Sequence, residues 1–430
     1  MRSITVQAGG PLRGRLNVPG DKSISHRALL FAAGAQGRST LQGLSTGADV
    51  ARTRAAIVAM GCDVSTVDES RVLVDGGRQR LAEPVDIIDL GNSGTGMRLI
   101  TGWSTGLPWL TVLTGDESLR SRPMGRVIDP LKRMGADIDG RQGGDRSPLV
   151  IRGGELQAID YTPPVASAQI KSAILLAGLS ADGTTVVREP VATRRHTEEL
   201  LALTGADAEV EEDPGGGLIV RVRRSELQAF CLDIPGDPSQ AAFWMVAGIV
   251  VPGSDVTIEN VYVGPGRNGL IGVLQRMGAD IDLEYRCSTA ADICVRHSTL
   301  NGVEVGGDEI PSLIDEIPVL SVAAAVAEGT TRISGAEEMR VKESDRISAI
   351  VTQMRVLGVG IAEAPDGFSI TGKPGTSLDG GEVEAGLDHR IAMTGAVAAL
   401  LASSSVTIKG WDSVATSYPN FAEDLARLRN

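Results

Sequence analysis

Five glycines, Gly61, Gly135, Gly205, Gly278 and Gly358, recur along this chain at intervals of 74, 70, 73 and 80 residues. Each ends the same pattern: an amphipathic helical run, the glycine, then a strand-like segment, as in AAIVAMGCDV, DPLKRMGADI, ELLALTGADA, GVLQRMGADI and TQMRVLGVGI. The residue just past a helix C-cap commonly takes the left-handed conformation, which glycine adopts without steric cost. A fixed period of this kind sets the architecture before any other signal. With FAEDLARLRN about one period further on, six units of about 72 residues account for the sequence.

Every unit also holds an earlier helix that is apolar nearly all round: SHRALLFAAGA, GMRLITGWS, QIKSAILLAGL, QAAFWMVAGIV, PVLSVAAAVAEG and RIAMTGAVAALLA. Such helices belong inside a core. Segments of period two, such as TTVVREP and SSVTIKGW, follow them and read as half-buried strands. The spacing therefore predicts an α/β protein in which sheets cover buried helices, three units to a domain. Pro-Gly-Asp pieces near Pro19 and Pro235 mark the crossings. They predict one domain over 20–236 and a discontinuous second one over 1–19 and 237–430, against the simpler alternative of a tandem split near residue 215.

A net charge of −13 disfavours nucleic acid or an anionic membrane as a partner through general electrostatics. The apolar run from Ala241 to Val251 is shorter than the roughly 18–20 residues that span a bilayer. The opening MRSITVQAGG reads as a strand without an apolar signal core, so a cytoplasmic protein is expected. Cys62, Cys231, Cys287 and Cys294 have no metal-ligand spacing and read as reduced thiols. No metal site is expected.

The starts of the six apolar helices, GDKSISHR, GNSGTGMR, VASAQIKS, PGDPSQAA, LIDEIPVL and LDHRIAM, carry small polar residues, and four carry cations. A helix start presents free N–H groups and partial positive charge, which favours acids and repels Lys and Arg. One such start is ordinary capping, but recurrence on a repeated scaffold points to anion binding. Lys22, Arg27, Arg98, Lys171 and Arg390 are then expected to converge, with Asp315 a carboxylate among them. LRSRPMGR adds Arg120, Arg122 and Arg126, and MRVKESDR adds Arg340, Lys342, Glu343, Asp345 and Arg346.

The motifs PGDKSISHRAL, LGNSGTGMR, SRPM, SAQIKSAILLAGL, IDEIP, RVKESDR and DHRIAM occur in an order that resembles the EPSP synthase family of enolpyruvyl transferases, along essentially the whole chain. The resemblance implies a two-domain inside-out α/β barrel, each domain built of three βαβαββ-type repeats, with the active site in the cleft between them. It implies transfer of the enolpyruvyl group of phosphoenolpyruvate to the 5-hydroxyl of shikimate 3-phosphate, with no cofactor, by an enzyme expected to be a monomer. Carried onto this sequence, Lys22, Ser23, Arg27, Ser167, Ala168, Gln169, Arg194, Asp315 and Lys342 would hold the phosphoshikimate. Lys22, Gly94, Arg122, Gln169, Arg346 and Arg390 would hold phosphoenolpyruvate. Asp315 is the candidate base and Glu343 the candidate proton donor to carbon, with Lys22 stabilising the charge that develops.

Three positions depart from the family pattern. Gly96 stands where many members have alanine, Arg195 where Asp or Asn is common, and Thr416 where one branch has a lysine. The first exchange is expected to be tolerated, because both residues are small. A transferase acting on a UDP-amino sugar is a rival within the same fold, but it characteristically uses a cysteine in an Arg/Gly-rich loop, and none of the four cysteines lies in one. A non-catalytic anion binder would gain nothing from Asp315 and Glu343 in its pocket.

Overall fold

The computed structural model describes residues 2–68, 70–213 and 215–429. The chain divides into two compact units, one of residues 20–234 and one of 1–19 with 235–430. All five periodic glycines have φ between 70° and 98°, the left-handed region that ends a helix and redirects the chain into a strand.

In the unit of residues 20–234, three helices form the interior: Lys22–Gly34, Gly94–Ser104 and Ala168–Gly178. From Ser23 to Gly34 the first of these is buried on every side. The second and third cross so closely that a Cβ on Gly102 would stand 2.3 Å from the carbonyl oxygen of Ala173, a contact only glycine permits. Three four-stranded sheets flank these helices. The middle one is typical. Its first strand, Ile88–Asp89, runs parallel to Leu110–Thr114, which pairs antiparallel with Arg146–Arg152, and Asp137–Arg141 closes the far edge antiparallel to that strand. With the helices between strands, this repeat reads βαβαββ. The sheet holding Gly37–Gln42 borrows its first strand from the end of the unit, Cys231–Asp233, so the last segment of this unit closes on the first.

The other unit repeats the plan around Pro238–Val250, Ile317–Val326 and His389–Ala399, which pack on one another. Two of its sheets have four strands and the third has three, Ser3–Val6, Val406–Lys409 and Gly381–Glu384. The sixth repeat is therefore short. In place of a second strand pair it has the helix Phe421–Leu428, whose Phe421 stacks on Trp244 with ring centroids 4.6 Å apart. The Trp244 indole N–H donates to the Tyr418 hydroxyl at 3.1 Å, and that hydroxyl donates to Asp424 at 2.7 Å. Aromatic packing and a satisfied hydrogen-bond chain thus stand in for the missing strands.

Candidate active site

In the unit of residues 20–234, the three interior helices begin with capping groups. Asp21 accepts from the Ile24 N–H at 2.7 Å, Ser93 from the Gly96 N–H at 3.1 Å and Ser167 from the Ile170 N–H at 3.5 Å. Just inside the first cap, Lys22 reaches Asp49 at 3.1 Å, so a carboxylate of the neighbouring helix Ala48–Ala59 orients the amine.

Arg27 lies one turn further in and is almost completely buried. Its guanidinium donates to the Ser23 carbonyl at 2.9 Å, to Ser172 Oγ at 2.7 Å and to Thr197 Oγ1 at 2.8 Å, with a longer 3.4 Å contact to the Ala168 carbonyl. Among the described residues it has no carboxylate at ion-pair distance. Burial, with Arg194 close by, pulls its pKa down to about 10. Arg194 in turn donates to Ser23 Oγ at 3.3 Å. Arg195, which stands where Asp or Asn is common, turns to Glu212 at 2.9 Å.

A second group forms at the start of Gly94–Ser104. Arg98 donates to Gln169 Oε1 at 2.9 Å, and Gln169 donates to Thr95 at 2.9 Å. Arg122 donates to Asn92 and packs over Gly94, where an added Cβ would lie 3.0 Å from both the Arg122 and Arg98 guanidinium groups. Gly96 is tighter than expected. A Cβ there would sit 2.8 Å from Ser93 Oγ and 2.9 Å from Thr53 Oγ1, so alanine would displace the helix cap. Arg120 donates to the Gly115 carbonyl and supports the loop. Lys171 does not join these cations. Fully buried, it bonds Glu189 at 2.7 Å and Glu198 at 2.6 Å inside the core.

In the other unit, Asp315 lies 3.2 Å from Arg346, 3.8 Å from Lys342 and 4.0 Å from Arg390, whose guanidinium also donates to the Asp315 carbonyl at 2.9 Å. Arg346 is buried and holds Glu343 at 2.5 Å and Asp388 at 2.9 Å. Burial alone would lower the pKa of Arg346, but the carboxylates of Glu343, Asp388 and Asp315 outweigh it and raise the pKa. Burial likewise pushes the Asp388 carboxyl up, and the Arg346 guanidinium outweighs that, holding it below the usual carboxylate range. Asp388 also caps His389–Ala399 through the Arg390 N–H at 3.0 Å and accepts from Ser344 at 2.9 Å. One buried acid thus fixes Arg346, Ser344 and the helix that carries Arg390.

Asp49, Asn92 and Asp388 complete these clusters and were not assigned from sequence. Asp388 stands inside the DHRIAM motif, so a signal was there; Asp49 and Asn92 act through partners that only the fold brings near. Thr416 donates to the Ser413 carbonyl at 2.7 Å and finishes a short helical turn. No group of three or more His, Cys, Asp or Glu side chains among the described residues is placed to hold a metal ion.

Residues 6–425 match the family model for EPSP synthase (3-phosphoshikimate 1-carboxyvinyltransferase). A 3-phosphoshikimate 1-carboxyvinyltransferase from Synechococcus sp. (strain JA-3-3Ab) is 48% identical over 99% of this chain and 97% of its own length. The solved EPSP synthase from Acinetobacter baumannii superposes with a TM-score of 0.89 at 40% identity, covering 100% of this chain and 98% of that one. The enolpyruvyl transferase NikO from Streptomyces tendae shares the fold, with a TM-score of 0.78 at 18% identity over 99% of this chain and 96% of its own. Agreement along the whole length, in sequence and in fold, makes this chain a member of the EPSP synthase family.

Proposed function

We propose that the two clusters hold shikimate 3-phosphate and phosphoenolpyruvate, and that Asp315 and Glu343 move the protons of the reaction. The protein is a transferase that carries the enolpyruvyl group of phosphoenolpyruvate to the 5-hydroxyl of shikimate 3-phosphate by addition and elimination, in aromatic amino-acid biosynthesis. In our reading Ser23, Arg27, Ser167, Ala168, Gln169 and Arg194 receive the phosphoshikimate, joined by Lys22, Asp315 and Lys342. Gly94, Arg122, Arg346 and Arg390 receive phosphoenolpyruvate, with Lys22 and Gln169 touching both. A planar guanidinium meets carboxylate and phosphate oxygens in pairs, which suits arginine to this work.

The chemistry requires a base at the 5-hydroxyl and an acid at the methylene carbon. Asp315 takes the hydroxyl proton as that oxygen bonds to C2 of phosphoenolpyruvate, while Glu343 delivers a proton to C3. Loss of phosphate from the tetrahedral adduct and return of a C3 proton then restore the double bond. Lys22 stabilises the charge on the departing oxygens.

The observation that carries this reading is the placement of Asp315 within 4.0 Å of Lys342, Arg346 and Arg390, with Glu343 on the same Arg346. Bound polyanions offset these cations and leave Glu343 able to hold a proton. No helix among the described residues is long and apolar enough to cross a membrane. Small diffusible substrates support a cytoplasmic location, and the presence of both clusters in one chain supports a monomer as the working unit. A phosphate-release assay tests the function. Phosphate should appear only when both substrates are present, and its absence from the complete mixture would overturn the assignment.

A further inference from the structure

Lys171, Glu189 and Glu198 form a buried charged triad that the reaction does not use. Lys171 is wholly enclosed, and the two carboxylates are also buried. Enclosing three charged groups is costly, and such a group tends to persist where it fixes a geometry rather than where it adds stability. The geometry here is specific. Glu189 ends the strand Thr184–Glu189, and Glu198 lies in the first turn of the helix His196–Leu203. Residues 190–195 join these two elements, and they carry Arg194. Lys171 bridges the two ends of that segment from the interior helix Ala168–Gly178, at 2.7 and 2.6 Å. Glu189 grips the segment a second time, accepting from the Thr193 hydroxyl at 2.5 Å and from its backbone N–H at 3.4 Å. Thr193 directly precedes Arg194, whose guanidinium reaches Ser23.

We infer that Lys171 is a positioning residue: by tying Glu189 to Glu198 it holds the segment 190–195 closed and sets Arg194 beside Ser23, on the side assigned to shikimate 3-phosphate. The inference rests on that assignment. It accounts for a lysine at a helix start that faces the core rather than a ligand. The effect is expected on one substrate, because the triad grips only the segment that carries Arg194; Gln169 shares the helix of Lys171 but is held separately by Arg98 and Thr95, and Gly94 and Arg122 hang on other elements.

Two variants test it by steady-state phosphate release. A charge-free variant, Lys171→Met with Glu189→Gln and Glu198→Met, replaces the whole triad by neutral side chains of similar length, which buried ion pairs and triads often tolerate. It should raise KM for shikimate 3-phosphate by about tenfold or more, while KM for phosphoenolpyruvate and kcat stay within about twofold. Thr193→Val removes the hydroxyl bond to Glu189 and leaves the triad intact, so its folding does not depend on that of the first variant. It should raise the same KM by about threefold to tenfold, and the effect should vanish when Arg194→Ala is already present, since neighbours in one chain of contacts are not additive. An unchanged KM for shikimate 3-phosphate in Thr193→Val would overturn the inference. So would an effect of Thr193→Val that persists undiminished without Arg194, or equal movement of both KM values in the charge-free variant. Failure of the functional reading is separate: the wild-type protein would then release no phosphate.

Discussion

Arg27 illustrates how a single residue trades stability for binding. Its pKa is lowered to about 10, chiefly by burial and then by Arg194, so the folded protein binds this proton less tightly than the unfolded chain does. The penalty sets in as pH falls from the unfolded value through the folded one, and is complete at neutral pH. By linkage it amounts to roughly 3 kcal/mol, taking about 1.4 kcal/mol per pH unit. In our proposal a bound phosphate offsets it. Arg27→Met should lose the upward shift in melting temperature that shikimate 3-phosphate is expected to give the wild type; thermal melts with and without the substrate check it. A ligand shift that survives undiminished in Arg27→Met would contradict the proposed role. At the reacting groups the expectation differs. Asp315→Asn and Glu343→Gln should each lose about 100-fold or more in kcat with substrate binding largely kept, the range expected for a lost general acid or base. Rapid-quench or steady-state rates beside equilibrium binding would separate the two effects.

Between neighbouring helices, His26 shows how elements are locked together. Its buried ring on Lys22–Gly34 sets Nδ1 2.7 Å from Thr53 Oγ1 on Ala48–Ala59, and Nε2 is enclosed without a hydrogen-bond partner among the described residues. Burial first, then Lys22 and Arg27, hold its pKa well below the ordinary 6.5. The unfolded chain takes up this proton below about pH 6.5 while the folded one does not. Stability from this group is complete above that pH and falls as the solution is acidified toward the folded pKa, by about 1.4 kcal/mol per pH unit for one proton. Urea unfolding between pH 7.5 and 5 should show that slope, and His26→Gln should remove about one proton's worth of it. The elements themselves were legible from sequence because their signals are local. A glycine past a helix end must accept positive φ, and all five do. The inward or outward sense of a charged residue near a helix start is not local. Lys171 reads like Lys22 in sequence, yet its partners Glu189 and Glu198 come from a later strand and helix and draw it into the core. The crowding at Gly96 has the same origin, since Thr53 approaches from a separate helix.

Across the whole molecule, the repeat gives each unit its own set of buried helices and its own cluster of charges at their starts. In residues 20–234 the cations rest mainly on hydroxyls, amides and carbonyls, whereas in the other unit Arg346 and Asp388 form the centre of a carboxylate-rich network. In our proposal both units supply anion-binding cations, and the carboxylates that move protons come from the second. It was legible in sequence only as a list of motifs, because the acids Asp49 and Asp388 become partners of Lys22 and Arg346 through tertiary contact. We propose that Arg122 and Arg390 each contact phosphoenolpyruvate. The most direct test is the KM for phosphoenolpyruvate in Arg122→Gln and in Arg390→Gln, one substitution in each unit. Each should raise it by about tenfold or more, as expected for loss of a charge-assisted contact of roughly 1.5–3 kcal/mol; a KM unchanged in either variant would contradict the account.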